Sequence, residues 1–304
     1  MKNIFFESGI FIVTLALGYF LKRVGVFRTE DKKIISNLIM YVTLPALLIN
    51  SFSDFRMDFW FIISFILGIA CNAYMVLQAY LVTSRRSREI RAIYMINGAG
   101  FNLGNITMPF LQAFLPGAIP YLCMFDVADS IFSLGGTYAL ASAQLGRDDR
   151  VRPGKIIKGL VSSVPFDVYC IMALLSLLKI DLPDPFLMLT EFIGKANPCL
   201  AMLMLGIALE FHIDKSTLKD VLQLLVLRLG AAILFAFVIY CLIPAPLAMR
   251  QILAVSVFSA VPNICVVFSN KLGIDASAAN ALNPISMLLS LPLMSIAIYI
   301  VMAV

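Results

Sequence analysis

The chain has one histidine, one tryptophan and very little charge, only 13% Asp, Glu, Lys and Arg over 304 residues. Those shortages exclude whole classes of function. His212, flanked by Glu210 and Asp214 at a helix end, reads as a solvated loop residue. There is no His-Glu-x-x-His, no Ser/His pairing and no ligand cluster, so no catalytic or metal-binding residue is expected and the chain does not read as an enzyme. The six cysteines (71, 123, 170, 199, 241, 265) fall inside apolar runs without paired spacing, which argues against a disulfide framework or a zinc ribbon. They read as small apolar packing residues.

What the chain does have is apolar sequence: 61% hydrophobic residues and a mean hydropathy of +0.94. Hydrophobic runs lie near 4–21, 33–52, 59–83, 92–115, 118–145, 156–178, 186–209, 217–243, 250–270 and 276–303. At about 20 residues per span, these lengths predict an all-α membrane protein of ten transmembrane helices with no sizeable soluble domain. The first run, closed by Lys22-Arg23, reads as a retained span and not a signal peptide.

The net charge of +5 is explained by where the basic residues fall. Seventeen Lys and Arg lie in the loops after spans one, three, five, seven and nine, and five on the other side. By the positive-inside rule the first set is cytoplasmic, both termini are non-cytoplasmic, and the expected location is the cytoplasmic (inner) membrane of a cell, multi-pass. No nucleic-acid partner is needed; the partners expected are the lipid bilayer and a small solute. A homodimer is among the oligomeric states the sequence leaves open. Aromatic residues near span ends, Phe52, Phe55, Phe59 and Trp60, read as an interfacial belt.

Residues 146–155, with the run Gly146-Arg-Asp-Asp-Arg-Val-Arg-Pro-Gly154, form a charged hinge with five runs on each side. An odd number of spans returns the second half in opposite orientation, so residues 1–145 and 156–304 are expected to be two halves of a 5+5 inverted repeat. A fixed offset of 153 residues carries Pro45 onto Pro198 and Pro109 onto Pro262.

Run four contains Asn97-Gly-Ala-Gly-Phe-Asn102-Leu-Gly104-Asn105-Ile-Thr107-Met-Pro109, and run nine contains Ser259-Ala260-Val-Pro262-Asn263. Such polar, glycine-rich sequence is tolerated at membrane depth only where it faces protein or water. Proline removes a donor and crowds the preceding turn, so helices four and nine are expected to be discontinuous, opening at Pro109 and Pro262 and crossing at the midplane. Half-helix N-termini there suit an anion. Asn102, Asn105, Thr107 and Asn263 are the candidate substrate-binding side chains, with Pro109 and Pro262 shaping the backbone.

Three stretches resemble the auxin efflux carrier family, which includes bacterial malonate and malate carriers and plant auxin exporters. They are Tyr41-Val-Thr-Leu-Pro45-Ala-Leu-Leu, Asn102-Leu-Gly104-Asn-Ile-Thr-Met-Pro109, and Ala260-Val-Pro262 followed by Lys271-Leu-Gly273. The resemblance implies a ten-helix inverted-repeat transporter with a crossover of spans four and nine. It carries roles onto Asn102, Pro109 and Pro262. Thr107 stands where that family commonly has Gly, and the long loop of the plant exporters is here the short hinge.

Charges inside the runs form a second set of candidates. Asp126 and Asp129, at i and i+3, share a helix face and are candidates for ion coupling, joined by Asn280 and Asn283 near Pro284 in run ten. Asp167 and Arg228 are read as a structural ion pair. No cofactor is expected beyond Na⁺ or H⁺ as a coupling ion. The function these residues favour is alternating-access transport, a symport, of a small organic anion, a mono- or dicarboxylate. The alternatives are a Na⁺/H⁺-type cation antiporter and a non-transporting membrane sensor of the same fold.

Overall fold

A computed structural model describes residues 2–53, 55–146, 154, 159, 161–210 and 217–303, and among these no residue is in a strand. His212 and nearly all of the charged hinge lie outside the described residues. Among the described residues seven helices are long and apolar enough to cross a membrane: Ile4–Arg23, Thr29–Ser53, Phe59–Val82, Pro116–Gln144, Asp184–Ala208, Leu218–Leu242 and Ser277–Ala303. The other three hydrophobic runs are represented by shorter pieces. Run six holds the 15-residue helix Val164–Leu178, and runs four and nine are interrupted.

In chain order the elements are α1 (Lys2–Arg23), α2 (Thr29–Ser53), α3 (Phe59–Val82), α4 (Arg88–Gly98), α5 (Met108–Gln112), α6 (Pro116–Gln144), α7 (Val164–Leu178), α8 (Asp184–Ala208), α9 (Leu218–Leu242), α10 (Leu247–Ser256), α11 (Asn263–Lys271) and α12 (Ser277–Ala303). Local chemistry sets their ends and irregularities. The Asp58 carboxylate caps α3 by accepting from the Phe61 N–H at 3.0 Å, satisfying one of the donors that a helix start leaves free. In α2 a five-residue π-turn, Ile39–Thr43, precedes Pro45 and opens the ladder where the proline contributes no donor.

The helices pack in two groups. In the first, α1 lies on α8, and α2 lies on both α7 and α8. A Cβ on Gly206 of α8 would run into the Leu15 carbonyl and the Tyr19 nitrogen of α1, so these two backbones are in direct contact. Small residues permit that approach, which matters where lipid offers no hydrophobic drive to associate. In the second group α3 packs on α6, α4 on α3, α6 and α9, and α12 on α9, α10 and α11.

Phe52 and Phe55 are not at an interface. Phe52 is 2% exposed, both rings pack against Phe61, and the Phe55 and Tyr121 rings meet edge-on at 5.0 Å. They are core, because α2 turns back there onto α3 and α6; Phe59, 67% exposed, keeps the outward position expected of it.

Candidate functional site

The interruption of run four begins where α4 ends. Ser87 caps this helix by accepting from the Ile90 N–H, and the chain then leaves helical geometry at Ala99 (φ −111°, ψ 172°), Gly100 (φ +82°) and Asn102 (φ −88°, ψ 65°). It re-enters through a π-turn, Leu103–Thr107, that leads into α5. The break therefore lies at 99–102 and not at Pro109, which is the second residue of α5. Glycine is what opens the chain: only Gly100 takes positive φ without strain, and the wide turn ahead of Pro109 absorbs its ring and missing N–H. In run nine proline does mark the break. α10 ends at Ser256, and Pro262 (φ −60°, ψ 139°) is the residue from which α11 starts.

An open backbone at membrane depth must find partners, each unpaired group costing several kcal/mol. Here side chains supply them. The buried Arg228 guanidinium of α9 donates to the carbonyls of Asn97, Gly98, Ala99 and Gly100, the last at 2.8 Å, and to Ser259 at 3.3 Å. From the other side Asn72 Oδ1 of α3 accepts from the Gly100 N–H at 3.0 Å, and Asp129 Oδ1 of α6 accepts from the Phe101 N–H at 3.1 Å. Asn72 Nδ2 and Ser133 Oγ donate to Asp129 in turn, at 3.0 and 2.9 Å. The run-nine break is held likewise: Asn283 Nδ2 donates to the Val261 carbonyl, and Ser286 Oγ accepts from the Val261 N–H, both at 3.1 Å.

This frame corrects two expectations. Asp167 and Arg228 do not pair: Asp167 is exposed in the first turn of α7, whereas Arg228 is occupied by carbonyls. Nor do Asp126 and Asp129 share hydrogen-bond partners. Asp129 is committed to the backbone of residue 101, while Asp126 accepts from the Tyr169 hydroxyl at 3.2 Å and lines a separate cavity of about 110 Å³.

The two breaks touch. The Asn102 N–H donates to the Ala260 carbonyl at 3.0 Å, Thr107 Oγ1 donates to Ser259 Oγ at 2.8 Å, and a Cβ on Gly100 would sit 2.9 Å from Pro262 Cγ. Thr107 is fully buried in this contact. Asn102, 4% exposed, accepts from Asn105 Nδ2 at 3.3 Å through Oδ1, and its own Nδ2 has no partner among the described residues.

Beside the contact lies a cavity of about 650 Å³ whose lining includes Asn105, Asn263, Asn280 and Asn283, with Lys32 and Lys33 of α2. The structure thus joins two of the candidate anion ligands with the two run-ten asparagines assigned to ion coupling, and leaves Asn102 and Thr107 behind them. A second cavity, about 810 Å³, is lined by Asn50 and Arg56 and by Gln112, Tyr121, Glu191 and Lys195. Lys32 lies in the first turn of α2 and Asn50 near its end, so the two cavities open at opposite ends of that span. Asn105 and Gln112 face them from one continuous stretch, the π-turn and α5.

Sequence reasoning missed Lys32 and Lys33, which it counted only as loop charge, and it missed Asn72. A lone asparagine in the middle of an apolar run was the available signal.

The fold and the paired interruptions define a multi-pass helical membrane protein of the discontinuous-helix kind. Residues 5–150 match the family described as membrane transport protein, the auxin efflux carrier family that the motifs resemble. No curated protein matches the chain. Members of this family are transporters and not enzymes.

Proposed function

We propose that this chain is a secondary active transporter that carries a small organic anion, a mono- or dicarboxylate, across the cytoplasmic membrane by alternating access. The observation that carries the reading is the cavity of about 650 Å³ at the crossover, with amide side chains from three interrupted or proline-bearing segments and two lysines at its rim. Asn105, Asn263, Asn280 and Asn283 offer neutral hydrogen bonds to carboxylate oxygens, the start of α11 offers backbone N–H groups, and Lys32 and Lys33 attract the anion. The cavity at the other end of α2 is the second access route.

The proposed frame is ten spans in a 5+5 inverted repeat, residues 1–145 and 156–304, joined by a cytoplasmic hinge at 146–155, with both termini non-cytoplasmic. Packing supports it: α1 lies on α8 and α7 on α2, the pairings that exchange spans one with six and two with seven. Na⁺ or H⁺ is the proposed coupling ion. Asn102 and Thr107 serve by holding Asn105 and the α10–α11 break in place.

The test is a thermal-shift screen of purified protein against mono- and dicarboxylates, with and without Na⁺. The reading expects a saturable upward shift with at least one carboxylate and its loss in Asn105→Ala and Asn263→Ala. A shift with Na⁺ alone and none with any carboxylate would favour the cation antiporter. Carboxylate binding without flux in liposomes would favour the sensor.

A further inference from the structure

The two helix groups meet at few polar contacts, and one stands apart. Tyr169 belongs to α7, in the group of α1, α2 and α8; its hydroxyl lies 3.2 Å from Asp126 Oδ2 of α6 and 3.5 Å from Met108 Sδ, the first residue of α5. A phenol has one proton, so it bonds either the carboxylate of the other group or the sulfur at the start of the crossover half-helix. Asp126 is half-buried and takes no part in framing the breaks. It opens instead on the cavity of about 110 Å³, which Ser130 and Ser163 also line. At about 30 Å³ per molecule, that space holds a few waters among polar partners.

We propose that Asp126 is a proton-binding site at the junction of the two helix groups, loaded through this small cavity, and that its occupancy sets the strength of the Tyr169 bond holding the groups together. A hydrogen bond from a hydroxyl to an ionised carboxylate is roughly twice as strong as a neutral one. With Asp126 ionised, Tyr169 is held to α6. A proton passed from a hydronium ion in the cavity to the carboxylate breaks one O–H bond and forms another, leaves water behind, removes the charge and frees the Tyr169 hydroxyl to turn to Met108. The titratable groups facing Asp126 are Tyr169 from α7 and, on α6 itself, Cys123 and Asp129. Proton loading thereby reaches the half-helix that carries Asn105 and Gln112, which deepens the proposed transport reading and rests on it for its consequence.

The experiment reads proton binding and not flux, so failure of this site and failure of the transport reading are separable. Infrared difference spectra of the full chain in lipid are recorded across an acid titration, with ²²Na⁺ binding measured in parallel. The expected result is a protonated-carboxyl band that grows on acidification and is absent from Asp126→Asn. In Tyr169→Phe, which keeps the carboxyl and the ring, the band persists with a displaced midpoint. A band unchanged in Asp126→Asn, or a midpoint unmoved in Tyr169→Phe, overturns the proposal. So does ²²Na⁺ binding that Asp126→Asn abolishes, which would make the cavity a sodium site. Tyr169→Phe decides the matter should Asp126→Asn fail to fold.

Discussion

The Asn102 N–H donates to the Ala260 carbonyl at 3.0 Å, so two helices interrupted some 160 residues apart in sequence are bonded to each other at their breaks. Neither break is then a local kink. Each leaves backbone groups that the other, and Arg228 between them, help to satisfy.

Gly100→Ala tests whether the first break needs this glycine. The residue sits at φ +82°, and a Cβ would press on Pro262 and Ser133. The expected cost is about 1–3 kcal/mol, seen as a lower unfolding midpoint in detergent. Gly104→Ala, where a Cβ meets nothing within 4 Å, leaves the midpoint in place. Equal effects would place the break elsewhere.

Arg228→Lys keeps the charge and loses the planar fork that reaches five carbonyls, and a lysine cannot replace it. The unfolding midpoint should fall sharply. Asp167→Asn, on an exposed side chain, should leave it unchanged. Matching losses in the two variants would restore the ion pair that the geometry rejects.

Asp129→Asn retains shape and one acceptor oxygen but gives up the charged acceptor for the Phe101 N–H, Asn72 and Ser133. A cost of about 1–3 kcal/mol in thermal or chemical unfolding is expected. An Asp129→Asn protein as stable as wild type would return this carboxylate to the list of candidate ion ligands.

Asn105→Ala and Asn263→Ala remove cavity-lining amides and are expected to weaken carboxylate binding about tenfold or more, since a charge-assisted hydrogen bond contributes about 1.5–3 kcal/mol. Lys32→Ala with Lys33→Ala should weaken it less and mainly at low salt, because both side chains are exposed and screened. Calorimetric titration across ionic strengths separates the two effects. A larger loss at the lysines than at the asparagines would move the site to the rim.

Much of this arrangement was legible in the sequence because polar residues in an apolar run carry information. The helical class and the two interrupted runs followed from composition and from the cost of unpaired backbone in lipid. What failed were partner assignments. Pro109 looked like the break because proline is the stronger helix breaker, but a π-turn absorbs it and Gly100 opens the chain instead. Asp126 and Asp129 share a face at i and i+3, yet α3 and α7 reach them from different sides and give them different work. Arg228 looked as if it needed a carboxylate, whereas the end of α4 and the Ser259 carbonyl present it with a row of oxygens that no sequence pattern reveals.

Counterflow in proteoliposomes shows whether this crossover carries a carboxylate through the membrane. Vesicles preloaded with an unlabelled mono- or dicarboxylate are given the labelled compound outside. Label should accumulate transiently in wild type, and this accumulation should be lost in Asn105→Ala and Asn263→Ala while those proteins remain folded. Accumulation in wild type that survives both substitutions, or none with any carboxylate tested, would contradict it.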